Sequence, residues 1–221
     1  MKFELLGMAG IKPAIQVMRN PLKSYHKADS DFTQADGPDF EIGPADYDLA
    51  KRLCKGGDVH RKWMRMVYVW VNITAPLFWW SEADTYSHVP KSSESTMHTL
   101  YKEDFSDEDF ADVLDSVFEP TDDSFTKANY EAVSRSLRYW QEKYKAADNV
   151  EEKNRIRHEM KKILPSGYLQ KRGCAINYET LCKMYEQRKN HKLPEWSVDF
   201  VEFVNSLPYC EFIKGEGFRD E

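Results

Sequence analysis

The most strongly patterned part of the chain runs from His60 to His98, where an alternating apolar segment gives way to a tryptophan-rich stretch and then to a serine-rich turn. Between Arg65 and Ile73, Val67, Val69, Val71 and Ile73 alternate with Met66, Tyr68, Trp70 and Asn72, the period-two spacing of a strand. Both sets are largely apolar, so the strand is expected to be covered on both faces. Thr74 as N-cap and Pro76 in the first turn then predict a helix over Leu77 to Tyr86, with Trp79, Trp80, Ala83 and Tyr86 on one side. Pro90 and the run Ser92-Ser93-Glu94-Ser95 break that pattern, and a short helix is expected to begin around Ser92.

Elsewhere the pattern predicts a short strand from Phe3 to Leu6, ended by Gly7 and Gly10, and a helix starting near Pro13. Residues 20–44 are rich in Asp, Gly, Pro and Ser, have no sustained period and read as a loop or arm. Asp46 to Lys55 reads as a helix stopped by Gly56-Gly57. Between Glu103 and Asp123 lie ten acids and no Lys or Arg, with Phe110, Val113, Leu114, Val117 and Phe118 as the buried stripe of a solvated helix capped by Ser106. Lys127 to Ala147 carries Tyr130, Val133, Leu137, Trp140 and Tyr144 at steps of three and four, and Val150 to Leu164 follows as a charged helix; the two are suited either to an antiparallel pair or to self-association through their aromatic seam. Residues 103–163 are thus a helical portion of a single domain spanning 1–221. The C-terminal stretch predicts a strand over Tyr168 to Ile176, a helix capped by Asn177 over Tyr178 to Lys189, and a last helix from Pro194 to Val204.

Composition narrows the functional classes. A formal charge of −6 with interspersed signs gives no attraction for phosphate backbones, so nucleic acid is not an expected partner. The longest apolar run is broken by Asn72 and Pro76 and falls short of a membrane span, and the N-terminus lacks the pattern of a signal peptide, so a cytoplasmic protein is expected. Cys54, Cys174, Cys182 and Cys210 have no metal-binding or redox spacing and read as free, mostly buried thiols. Glu94 and His98 stand at i, i+4 without a third ligand, and the acids of 103–123 read as a hydrated face, so no metal site is assigned. No glycine-rich phosphate loop is present. Trp79, Trp80, Tyr86 and His98 are aromatic groups able either to stack on a flat heterocycle or to fill the core.

Two stretches together resemble the flavin-dependent thymidylate synthase family. In that family a His precedes an apolar strand, the strand runs into an A-P-[IL]-F helix start, and R-H-R, seven residues, S follows. Here His60 precedes the strand, Ala75-Pro76-Leu77-Phe78 supplies the helix start, and Thr85-Tyr86-Ser87 stands seven residues before Ser95. The family's L-P element, strand ending in V-N and helix ending in L-R are resembled by Leu164-Pro165, Ile176-Asn177 and Gln187-Arg188 at matching spacing. The matching segments, 60–98 and 163–205, cover under half of the chain.

The resemblance implies an α/β fold, a mixed sheet with a central helical portion, and a homotetramer with active sites shared between subunits. It also implies FAD as cofactor and the reductive methylation of deoxyuridylate, a pyrimidine nucleotide, with a folate and NADPH as co-substrates. Residue by residue, it carries over Ser95 and Arg188 on the nucleotide side, and His60, Asn177 and the signature positions Tyr86 and Ser87 on the flavin side. The departures bear on function. Thr85, Tyr86 and Ser87 replace the family's two arginines and histidine, Met97 replaces the Arg of S-x-R-Y, and Glu179 replaces the Arg of V-N-x-R. A guanidinium fork is the natural partner of a phosphate, so these changes remove charge from the ligand's side, and Glu179 is expected to repel it. Each carried residue also has a structural reading: His60 as a surface histidine, Ser95 as a turn serine, Asn177 as a helix cap, Arg188 as a last-turn cation. The alternatives are therefore a divergent enzyme, a nucleotide-binding protein without catalysis, or an interaction protein using the acidic face.

Overall fold

A computed structural model describes residues 1–102, 104–105, 109–110 and 124–215. Four strands, β1 (Lys2–Ala9), β2 (Tyr68–Pro76), β3 (Lys91–Ser93) and β4 (Leu169–Asn177), form one antiparallel sheet in the order β1-β2-β4-β3. The register is set by Tyr178 N bonding Val67 O at one end of the β2–β4 pair and Leu77 N bonding Tyr168 O at the other. On the far side of β4, Ala175 N bonds Pro90 O, and Glu94 N bonds Lys171 O. The helices are α1 (Ile11–Val17), α2 (Pro44–Lys55), α3 (Leu77–Ala83), α4 (Thr96–Thr99), α5 (Ser124–Ala146), α6 (Val150–Lys162), α7 (Tyr178–Arg188), α8 (Val201–Asn205) and α9 (Cys210–Lys214). The α/β class expected from the sequence is the one observed.

The chain divides into two compact units, and β2 and β4 run through both. One unit comprises residues 2–73, 86–91 and 173 onward. Its core gathers Ile11, Ile15, Trp63, Met64, Tyr178, Leu181, Trp196 and Phe212, all at most 3% exposed. Val67, Val69, Val71 and Ile73 are buried to 2% or less, whereas Met66 and Trp70 on the other face are 44% and 43% exposed. The strand is therefore fully covered on one face and only partly on the other, where its composition predicted cover on both. Alternation fixes which residues share a face, but it does not supply a second layer to cover the other.

Residues 20–44 are tied down by polar contacts that leave no periodic trace in sequence. The Asp29 carboxylate accepts from Ala45 N and Asp46 N and so caps α2, while Asp46 accepts from Arg19 Nε (2.5 Å), Ser30 N and Ser30 Oγ. Phe40 is buried, and its carbonyl accepts from the Tyr209 hydroxyl near α9, a helix the sequence pattern did not predict. Gly57, at φ +80°, supplies the left-handed residue expected after α2. Gly10, at φ +90°, lies so close to the Met66 carbonyl that a Cβ there would collide with it.

The other unit comprises residues 74–85 and 92–172 with Met1. Here α5 packs against α6, one of the two arrangements the spacing allowed, around Leu100, Phe105, Phe110, Leu137, Ile156, Met160 and Tyr168. The Tyr130 ring stacks on Phe110 at 4.8 Å, and Phe110 forms an isolated bridge with Tyr168. Trp79 and Trp80 meet edge to face and are each 1% exposed, so they fill the core rather than present a stacking surface. The predicted acidic helix of 103–123 falls almost wholly outside the described residues, as does any metal site on it.

Two local expectations are corrected. The helix predicted for Leu77 to Tyr86 is shorter: β2 continues to Pro76, so Thr74 is sheet rather than cap, and α3 ends at Ala83. Around Ser92 the chain forms β3 instead of a helix, because Glu94 is recruited by β4, its backbone bonding Lys171 O and its carboxylate accepting from Lys171 N. Helix α4 starts only at Thr96, so Glu94 and His98 are not one helical i, i+4 pair.

Candidate functional site

Helix α7 organises the residues of interest. Asn177 closes β4 and caps α7, its Oδ1 accepting from Thr180 N at 2.8 Å, and it is 6% exposed. Arg188 ends the same helix. Eleven residues at about 1.5 Å rise separate the two by roughly 16 Å, so they belong to opposite ends of the element.

At the first end, Glu179 departs from expectation. It does not project as a repelling charge, because it is 3% exposed and accepts from Arg61 Nε at 2.8 Å, with Lys183 Nζ 3.6 Å from its second oxygen. Arg61 also donates to Glu186 at 3.2 Å. Position 179 is thus neutralised by a cation from the segment preceding β2. A buried carboxylate requires a partner of this kind, and its source was invisible in sequence because 118 residues intervene. His60, the neighbour of Arg61, is exposed and lies against Gly56, where a Cβ would approach its ring to 2.8 Å. Cys54 and Cys182 flank this cluster; burial pushes both thiols up to about 12, which removes them as nucleophiles at neutral pH.

At the second end, Arg188 is half-buried, with its guanidinium 4.9 Å from the Trp196 ring centre and 5.7 Å from that of Tyr86. Arg188 Nε donates to the Tyr86 hydroxyl at 2.9 Å, and that hydroxyl donates to Gln187 Oε1 at 2.9 Å. Trp196 is fully buried in a π-helical stretch, Glu195–Phe200, that replaces the first part of the predicted last helix. His191, just past α7, brings Nε2 to 3.1 Å from Arg188 Nη1. Ser87 is exposed and shares a 3.0 Å hydrogen bond with Nδ1 of His88, whose φ of +63° is unusual for a residue with a side chain.

Of the six residues the sequence singled out, Tyr86 and Arg188 are in direct contact. Ser87 adjoins Tyr86 in the chain, Asn177 and His60 lie toward the other end of α7 or its flanking loop, and Ser95 belongs to the other unit, exposed at the start of α4. The sequence reading missed Arg61, His191 and Trp196 as partners. Trp196 was legible only as core, and His191 stands in a segment without periodic signal.

No protein-family model matches the chain, and no curated protein matches it. Solved structures do. One of thymidylate synthase X from Helicobacter pylori with FAD and dUMP aligns with a TM-score of 0.71 at 16% identity, covering 100% of each chain. A second, of flavin-dependent thymidylate synthase from the same organism complexed with FAD and dUMP, gives 0.66 at 16% identity with the same coverage. The resemblance seen in two sequence stretches therefore extends to the fold over the full chain.

Proposed function

We propose that this chain, on the fold it shares with flavin-dependent thymidylate synthases, binds a pyrimidine nucleotide with Arg188 on the nucleotide's side. The observation that carries the reading is the restraint on that guanidinium. Tyr86 fixes its Nε and Trp196 lies under its plane, so little side-chain freedom remains to be lost when an anion docks. Tyr86 keeps its flavin-side assignment in this reading and also holds Arg188 through its hydroxyl. In this reading His60, Ser87 and Asn177 keep their flavin-side assignment.

FAD is the cofactor the resemblance implies, and the residues present fit it only in part. The signature positions 85–87 carry no cation for its pyrophosphate, the Glu179 carboxylate stands where the family has an arginine, and Asn177 Oδ1 is engaged in capping. Nucleotide binding is therefore proposed ahead of flavin chemistry. Reductive methylation of deoxyuridylate, with a folate, NADPH and a homotetramer, belongs to the fuller enzyme reading. A second reading, a binding module whose catalysis has lapsed, is favoured by the Arg61–Glu179 pair, which commits a buried cation to an internal carboxylate.

Two titrations test these readings. A rise in melting temperature with dUMP supports nucleotide binding, and none at millimolar dUMP refutes it. A bound-flavin absorbance spectrum on adding FAD would favour the enzyme over the lapsed module.

A further inference from the structure

We propose that Lys102, Arg157 and Lys153, strung along the stacked rings of Tyr101 and Tyr144, form a binding site for a linear phosphate chain of the di- or triphosphate kind. The site lies wholly within the unit that contains α4, α5 and α6 and shares no residue with the Arg188 site, so it stands or falls independently of the nucleotide reading.

The two tyrosines form the platform. Tyr101 follows α4 and Tyr144 belongs to α5; both are half-buried against the core of this unit, and their rings stack with centres 4.3 Å apart. The Arg157 guanidinium, from α6, is 4.8 Å and 5.1 Å from the two ring centres and so lies alongside both. Each lysine covers one ring: Lys102 Nζ is 5.4 Å from the centre of Tyr101, and Lys153 Nζ is 5.7 Å from that of Tyr144. The ring faces attract each cation, but they carry no net charge to cancel it.

Carboxylates do not cancel it either. Among the described residues none of the three cations is in an ion pair; the pairs along α6 are Arg155 with Glu151 and Lys162 with Glu159. Arg157 donates through Nη2 to the Tyr144 hydroxyl at 2.6 Å and through Nη1 to Asn154 Oδ1 at 3.1 Å, and its Nε is buried without an acceptor. A hydroxyl and an amide thus fix the guanidinium without neutralising it, and each Nη has a second N–H to offer an anion. In a chain whose formal charge is −6, three cations without a counter-charge are a local feature, not a consequence of composition. Their arrangement selects the ligand. One charge beside the stack and one over each ring suit an anion extended over several phosphates, whereas a single phosphate seated on Arg157 engages the lysines less fully.

The test is calorimetric titration of the full chain, in metal-free buffer, with inorganic tripolyphosphate and with orthophosphate. Tripolyphosphate should bind saturably and about tenfold more tightly, because it engages two further cations, each worth an exposed ion pair. The Lys102→Ala/Lys153→Ala variant loses no recorded hydrogen bond and should bind tripolyphosphate about tenfold more weakly on the same scale. A control, Lys27→Ala/Lys62→Ala, removes the same charge from exposed lysines of the other unit and should change the affinity by less than about twofold. Absence of tripolyphosphate binding, equal affinity for the two anions, unchanged affinity in Lys102→Ala/Lys153→Ala, or an equal loss in the control overturns the inference. The Arg157 Nε–H resonance, sheltered from solvent, reports on the site directly: a saturable shift on tripolyphosphate titration supports the inference, and an unchanged resonance overturns it.

Discussion

Replacing Arg61 by Leu is the most informative perturbation of the fold, because it strips the partner from a carboxylate that cannot reach water. The Arg61 and Glu179 side chains are 11% and 4% exposed and meet at 2.8 Å. Removing one partner of such a buried pair typically costs 3–5 kcal/mol. Two features set the value here. The contact from Arg61 to Glu186 adds little, since Glu186 is 54% exposed. Lys183, 3.6 Å from Glu179 and 48% exposed, remains in the variant and supplies partial compensation. The expected loss is therefore at the low end, about 3 kcal/mol, or roughly 6–12 °C in melting temperature for a chain of this size. The Arg61→Leu/Glu179→Leu double variant should recover to within about 1 kcal/mol of wild type, since two apolar side chains replace a pair whose desolvation was itself costly. Urea unfolding followed by tryptophan fluorescence and by far-UV circular dichroism measures both, provided the two probes coincide. A double variant as unstable as Arg61→Leu, or a single-variant loss below about 1 kcal/mol, would refute the assignment of Glu179 as a carboxylate dependent on Arg61.

Further outcomes follow from the same contacts. Restoring the family's residue by Glu179→Arg sets two guanidinium groups together in a buried space and should lower stability more than Glu179→Gln does, read by thermal melting. Asp46 is pushed up by burial, but hydrogen bonds from Ser30, Arg19 and Asp29 outweigh this and hold its carboxyl below the ordinary aspartate value of 3.8. Its folded-state pKa being depressed, its contribution is present above that value and lost as pH falls through the folded one. Amide exchange of residues 20–44 should therefore accelerate in strong acid, and the Asp46→Asn variant should lack this component. Asn177→Ala removes the α7 cap and should cost about 1 kcal/mol in urea unfolding, and a cost near zero would contradict the capping role. With Cys54 and Cys182 buried and raised to about 12, a thiol reagent at neutral pH should label Cys210 first, and rapid labelling of Cys182 in the native protein would contradict the buried cluster.

Much of this protein was determined by its sequence alone, wherever a period or a local cap carries the information. Alternation defined the buried valines of β2, steps of three and four defined the inner face of α5, and the Asn177–Thr180 spacing marked the start of α7 in agreement with the observed cap. The order and spacing of a few short words also pointed to the fold that the solved structures share. These features rest on contacts within a few residues, or on the repeat of a single element, and a linear pattern records both.

Tertiary structure alone decided the rest. Whether the second face of β2 is covered depends on which layers exist to pack on it, and Trp70 stays exposed because composition does not create a layer. The loop of 20–44 is ordered by Asp29, Asp46 and Arg19, polar partners with no periodicity to betray them. At the candidate site, Glu179 read as a repelling charge until the chain brought Arg61 to it, and Arg188 read as a helix-end cation until Tyr86, Trp196 and His191 surrounded it. The charge and reach of a side chain are written in its type. What that charge meets is set by residues far away in sequence, which only the folded chain brings within hydrogen-bonding distance.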